Sequence, residues 1–291
     1  MHRPGEVAAV MPAHNEAQTI GRIVTETIAT ISSVFVVDDG SSDATSDVAI
    51  KHGAIVISNA TQKGYGFSLR KGLQHARRCG FRYVVTLDSD GVHDPSFVRP
   101  LIAEHLRCGA DLTTGSRCME QTANDSFPSP KVAANVFATL LVNHLLASHF
   151  TDVASGFRVL GPRVLDLELE SDGYGVTFEL LYRAYRQGLR TVEYPIRVRY
   201  DAGRLFCTGR QELLEFLRYW MRVDVPVGDT QGQIPLLVKA VEDYDVLRVR
   251  IGSRAMIGHP VTNEDGYVMQ MQDPWFLEND QGFGTWHVVV R

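Results

Sequence analysis

Tyr83-Val84-Val85-Thr86-Leu87-Asp88-Ser89-Asp90 is an apolar run that feeds straight into two carboxylates spaced i, i+2. Val84, Val85 and Leu87 bring no charge, the pattern of a strand buried on both faces of a parallel sheet. Side chains two apart in extended chain point the same way, so Asp88 and Asp90 converge at the strand's end. Two carboxylates held that close repel each other unless a cation sits between them. Oxygen donors without Cys or His suit Mg²⁺ or Mn²⁺, ions that also hold substrate phosphates. Asp-Ser-Asp-Gly is equally the composition of an ordinary turn, so the pair by itself leaves both readings open.

The wider chain has 291 residues, 44% hydrophobic and 22% charged, as expected of a soluble globular protein. A net charge of −5 argues against a nucleic-acid binder, which needs a basic face. Cys79, Cys108, Cys118 and Cys207 show no metal-ligand spacing and read as free thiols of a reducing cytoplasm. The first six residues lack the apolar core of a signal peptide. Residues 132–150 are the most membrane-like stretch, but Asn135, Asn143, His144 and Ser148 interrupt it, so a mostly buried helix is expected.

Strand and helix alternate along the first half. Residues 6–11 read as a strand stopped by Pro12, followed by a helix with Asn15 as N-cap and Gln18 completing a capping box. Ile20, Ile23, Val24, Thr27 and Ile28 form its apolar stripe. Strands follow at 33–38 and 54–57, with helices after Asp43 and after Lys63-Gly64-Tyr65-Gly66, the latter carrying Leu69, Leu73 and Ala76. The Asp88 strand, a helix from Pro95 to about 106 and a strand at 111–114 complete the series. This is an α/β layered domain with a mainly parallel sheet, in which ligands bind beyond the strands' carboxyl ends. Residues 12–16, 38–43, 63–66 and 88–90 all follow strand ends, and the topology gathers them at one edge.

Residues 115–131 read as a mobile loop, 152–160 as extended, 177–187 as a helix and 190–200 as an edge strand interrupted by Pro195. Residues 211–222 read as an amphipathic helix, after which 236–238, 245–251, 267–269 and 286–290 read as short strands between turns. The expected division is therefore a domain over 1–222 and a small β-rich unit of unknown role over 223–291.

GxGxxG after the first strand, a phosphate-binding GxxxxGK[ST] and a GxSxG elbow are all absent, which excludes the commonest dehydrogenase, phosphoryl-transfer and hydrolase sites of such sheets. Pro12-Ala13-His14-Asn15-Glu16, Val36-Val37-Asp38-Asp39-Gly40-Ser41-Ser42-Asp43, Lys63-Gly64-Tyr65-Gly66 and Asp88-Ser89-Asp90 resemble, in order and spacing, family 2 glycosyltransferases of the GT-A fold. His93, Pro95, Gly115-Ser116-Arg117 and Asp152-Val153-Ala154-Ser155-Gly156-Phe157-Arg158 are most similar to the polyprenyl-phosphate (dolichol-phosphate) mannose and glucose synthases. The resemblance covers about residues 6–200.

It implies an inverting, metal-dependent transfer from a UDP- or GDP-sugar. Pro12, Ala13, Asn15, Glu16 and Asp39 would line the nucleoside pocket, with Lys63 and Ser89 beside them, and Asp88 and Asp90 would hold the diphosphate through Mg²⁺ or Mn²⁺. Arg117, Arg158, Arg199 and Arg204 are candidate phosphate clamps. Should the acceptor need a general base, Asp152 is the first candidate and Glu179 the second; a loop cap and a solvated helix face are their alternative roles. His14 and His93 read as polar loop residues. Three departures stand out: Val92 occupies the place of a usual Gln, Arg199-Tyr200-Asp201-Ala202-Gly203-Arg204 lacks a usual Ser-Lys pair, and residues 223–291 resemble nothing in the family. The acceptor is accordingly either a polyprenyl phosphate, met by peripheral membrane contact, or a soluble small molecule, possibly carrier-bound. A non-catalytic nucleotide-sugar sensor is the alternative class.

Overall fold

The computed structural model describes residues 6–119 and 148–198, helical positions between 135 and 146, and strand residues 247–251, 254–263, 266–271 and 286–290. The chain divides into two compact units, residues 1–126 with 151–202 and residues 127–150 with 203–291. The expected boundary at residue 222 lies outside the described residues, as do the 211–222 helix, the 236–238 strand and most of the 115–131 loop.

In the first unit, β1 (Val7–Ala13), β2 (Val34–Asp38), β3 (Ile55–Ser58), β4 (Tyr83–Thr86), β5 (Leu112–Ser116), β6 (Arg158–Leu160) and β7 (Thr191–Pro195) form one sheet in the order β3-β2-β1-β4-β6-β5-β7. Every pairing is parallel except those of β6, which runs against both β4 and β5. The helices are α1 (Ile20–Ile28), α2 (Thr45–Lys51), α3 (Tyr65–Arg78), α4 (Val98–Cys108), α5 (Pro162–Leu165) and α6 (Val176–Arg186), with a 3₁₀ turn at Pro95–Phe97 leading into α4. The expected mainly parallel α/β architecture is the one observed.

Burial explains the strands. All of β1 and β2 is buried, and Met11, Phe35, Leu87, Leu112 and Phe157 are essentially inaccessible. Each such side chain contributes about 1.5–3 kcal/mol relative to an exposed one. The α1 stripe of Ile20, Ile23, Val24 and Thr27 and the α3 stripe of Leu69, Leu73 and Ala76 bury as their spacing requires.

Four local expectations are corrected. Pro12 does not stop β1, which continues to Ala13: β4 pairs with β1 only as far as Val10, so the missing Pro N–H falls where no β4 partner stands. Asn15 is not a helix cap; α1 begins after Thr19 without a side-chain cap, and Asn15 adopts φ +55. Within 152–160 only Arg158–Leu160 is strand. The strand ending in Pro195 does lie at the sheet edge, and it stops at that proline.

In the second unit, β8 (Leu247–Ile251), β9 (Arg254–Asn263), β10 (Gly266–Met271) and β11 (Trp286–Val290) make an antiparallel sheet ordered β10-β9-β8-β11. β9 escapes sequence reading because Pro260 interrupts it. That proline pairs with Met269 of β10 but lies beyond Gly258, the end of the β8 pairing, where a lost N–H costs no ladder bond on that side.

Candidate active site

Parallel strands present their carboxyl ends together, so the residues after Ala13, Asp38, Thr86 and Ser116 share one edge. Antiparallel β6 begins at that same edge, with Arg158 opposite Thr86 and Thr114. One reversal of chain direction thus brings residues 152–158 to loops that precede them by 35 to 140 positions.

The first two loops are laced together. Asn15 N–H donates to Ser41 Oγ at 2.9 Å and Ser42 N–H to Asn15 Oδ1 at 2.8 Å. Glu16 N–H donates to Thr45 Oγ1 at 2.7 Å, and His14 Nδ1 lies 2.9 Å from the Asp39 carbonyl. The Glu16 carboxylate accepts from the Thr19 hydroxyl at 2.7 Å. Asp39 is buried, and its carboxylate accepts from Asn59 Nδ2 at 2.7 Å, Lys63 N–H at 2.9 Å and Gly64 N–H at 2.8 Å. Burial works against its charge, but these bonds outweigh it and hold the carboxyl below its ordinary range. Asp39 therefore braces the start of α3 under the β2 loop. Lys63 contributes its backbone to that brace and leaves its side chain exposed.

At the end of β4, Ser89 is buried and its hydroxyl donates to the Pro12 carbonyl at 2.8 Å, tying the third loop to the first. Asp88 and Asp90 are half-buried. Asp88 Oδ1 accepts from the Tyr65 hydroxyl at 2.9 Å, and Asp88 N–H donates to His93 Nδ1 at 3.1 Å. Asp90 Oδ1 accepts from Val92 N–H at 2.9 Å, so the turn reading is true of one of its oxygens. Oxygen-only donors, both open to solvent, fit a hard divalent ion. Among the described residues no group of three acidic, His or Cys side chains gathers to hold a metal, so water or substrate oxygens would complete the shell. Val92 packs against the apolar core instead of offering a ligand.

The two carboxylates expected as bases occupy other roles. Asp152 is 1% exposed and makes a bidentate pair with Arg117, Nε to Oδ2 at 2.6 Å and Nη2 to Oδ1 at 2.8 Å. Arg117 N–H at 3.0 Å and Ala154 N–H at 3.2 Å also donate to it. Burial pushes its carboxyl up, yet the Arg117 charge and these bonds bring it below the ordinary value. Such a carboxylate has no lone pair free for a substrate proton. Glu179 is not on a solvated face but fully buried; it accepts from Arg183 Nε and from the N–H groups of Glu170 and Ser171, each at 2.8 Å.

Arg158, expected as a clamp, is buried and donates to the Thr177 carbonyl at 2.9 Å and the Val153 carbonyl at 3.1 Å; desolvation lowers its pKa to about 10. Glu193 was missed by sequence reading: it accepts from Thr151 and Asp152 N–H at 2.8–3.0 Å, and burial raises its pKa. Nothing local marks it, since its partners lie some 40 residues away. Arg199 and Arg204 lie outside the described residues.

The family model described as glycosyl transferase family 2 matches residues 8–166. An undecaprenyl-phosphate mannosyltransferase of Micrococcus luteus is 31% identical over 65% of this chain and 82% of its own. The polyprenol monophosphomannose synthase of Mycolicibacterium smegmatis is 29% identical over 64% and 75%. Among solved structures, glucosyl-3-phosphoglycerate synthase from Mycobacterium tuberculosis with bound uridine diphosphate superposes with a TM-score of 0.58 at 25% identity, covering 78% of this chain and 89% of that one. A crystal of that enzyme with Mn²⁺, UDP-glucose and phosphoglyceric acid gives 0.60 at 24% identity, over 78% and 88%.

Proposed function

The chain belongs to glycosyl transferase family 2, and from that premise we propose that it moves a hexose from a UDP- or GDP-sugar to a polyprenyl phosphate, with inversion at C1. The observation that carries this proposal is the edge where the laced loops of β1 and β2 meet the Asp88–Asp90 carboxylates through the Ser89–Pro12 bond. The structural relative crystallised with uridine diphosphate supports a nucleoside-diphosphate donor.

Pro12, Ala13, Asn15 and Glu16 line the nucleoside, and Asp39 keeps the 59–64 segment against them. The exposed Lys63 side chain meets the diphosphate from the start of α3. Asp88 and Asp90 would hold Mg²⁺ or Mn²⁺, which when bound neutralises charge on the departing diphosphate. The acceptor argument is chemical. A phosphate oxygen is already an anion and needs no base, and both carboxylates considered for that task are occupied by internal bonds. The names of the Micrococcus and Mycolicibacterium relatives point to the same acceptor class. Among the described residues no helix is long and apolar enough to cross a membrane.

The test is a transfer assay with UDP- and GDP-hexoses, Mn²⁺ and a short-chain polyprenyl phosphate in detergent, with NMR assignment of the anomer formed. A glycosyl phosphate of inverted configuration is expected. Transfer confined to soluble alcohols or amines would overturn the acceptor, and nucleotide binding without turnover on any acceptor would favour a sensor.

A further inference from the structure

Tyr65 opens α3, directly after Gly64 at φ +107, and belongs to no role assigned above. Its ring stacks on Tyr174 with centroids 5.0 Å apart and planes 16° from parallel. Its hydroxyl donates to Asp88 Oδ1 at 2.9 Å. A stacked pair does not require that oxygen, because phenylalanine would present the same ring face.

The surroundings show what the oxygen does. A carboxylate at the end of a single Cβ rotates in a broad, two-fold well, and a hydrogen bond to one oxygen fixes it. Here Oδ1 is committed to Tyr65, while Asp88 N–H is committed to His93 Nδ1, which also stands 3.5 Å from Oδ2. Gly156 completes the frame: a Cβ there would lie 2.9 Å from both Asp88 Oδ1 and the Tyr65 oxygen, so a side chain at this position would press on the contact and one of the two would have to shift.

Tyr174 is itself anchored. Residues 170–174 are held by Glu179 through the Glu170 and Ser171 N–H groups, by Arg70 Nη1 on the Ser171 carbonyl at 2.7 Å, and by Phe67 N–H on the Asp172 carbonyl at 3.0 Å. Gly64 and Gly66 admit this segment: Cβ atoms on them would lie 2.5 Å from the Asp172 carbonyl oxygen and 2.3 Å from that of Ser171. The buried Glu179 thus helps hold the segment that carries Tyr174.

We propose that Tyr65, seated by Tyr174 and the 170–174 segment, is a positioning residue that fixes the Asp88 carboxylate in the orientation in which it would hold a divalent cation. This rests on the assignment of Asp88 as a metal ligand made above. Groups that orient ligating side chains typically change metal affinity by about 10–100-fold when removed.

The experiment titrates Mn²⁺ into wild type, Tyr65→Phe and Asp88→Ala without donor, reading free Mn²⁺ by electron paramagnetic resonance, and repeats the titration as metal dependence of transfer. Tyr65→Phe is expected to weaken Mn²⁺ binding by about 10–100-fold, to raise the metal KM in step, and to keep kcat at saturating metal within about threefold of wild type. The metal-free melting temperature should stay close to that of wild type, because the stack is retained. Wild-type Mn²⁺ affinity in Tyr65→Phe, beside loss of binding in Asp88→Ala, overturns this inference alone. A wild-type chain that takes up no Mn²⁺ either alone or with uridine diphosphate added, or an Asp88→Ala variant that binds it fully under both conditions, overturns the metal assignment beneath it.

Discussion

Asp152→Asn separates two readings of one carboxylate. The side chain is buried and faces Arg117 through bonds of 2.6 and 2.8 Å, with two backbone N–H groups at 3.0 and 3.2 Å. Asparagine keeps the shape but removes the Asp152 charge from beside an 11% exposed guanidinium. Breaking a buried pair in this way costs about 3–5 kcal/mol. For a domain of this size each kcal/mol lowers Tm by about 2–4 °C, so a fall of roughly 6–20 °C is expected. The pH dependence has a definite sign. The folded carboxyl lies below its ordinary value, so its stabilising contribution is present above pH ~4 and is lost as pH falls through the folded value. The gap between wild type and variant should be constant from pH 5 to 8 and narrow below 4. Calorimetry over that range, with kcat measured below the variant's transition, is the assay; kcat of the folded fraction should stay within about tenfold of wild type. Unchanged melting with kcat reduced by about 10²–10⁴, the range for a lost general base, would refute the pairing argument and restore Asp152 as a base.

Three further outcomes are expected. Gly64→Ala places a Cβ 2.5 Å from the Asp172 carbonyl oxygen at φ +107 and should destabilise by roughly 2–4 kcal/mol, seen as a lower urea midpoint and faster proteolysis within 170–174. Burial lowers the His105 pKa to about 4 from 6.5, so the folded state resists a proton that the unfolded state takes up. Stability should therefore fall by about 2 kcal/mol between pH 7 and 5, and a pH–Tm profile of His105→Gln that runs parallel to wild type would count against this. Asp90→Ala, or removal of divalent ions by chelation, should lower kcat by at least about 100-fold, and Mn²⁺ should restore only the wild type; transfer assays with and without EDTA decide it.

Local order alone settles much of the molecule. The apolar runs at 34–37 and 83–87, the stripes of α1 and α3, and a carboxylate after each of two strands follow from residue type and period, so the α/β class and the edge bearing Asp88 and Asp90 are legible before any coordinates. The resemblance of the motif series to family 2 names the chemistry that the family comparison then shows. Spacing is silent on partners chosen by tertiary packing: Asp152 with Arg117 35 residues away, Tyr65 with both Tyr174 and Asp88, and, nearer in sequence, Glu179 with the backbone of a loop at 170–171. Those pairings depend on the reversed β6 and on segments that meet only where glycine leaves room. Sequence placed acids at the strand ends. Which of them are fully buried among internal donors and which stay half-exposed was decided by the fold, because a buried carboxylate must find donors wherever tertiary packing supplies them.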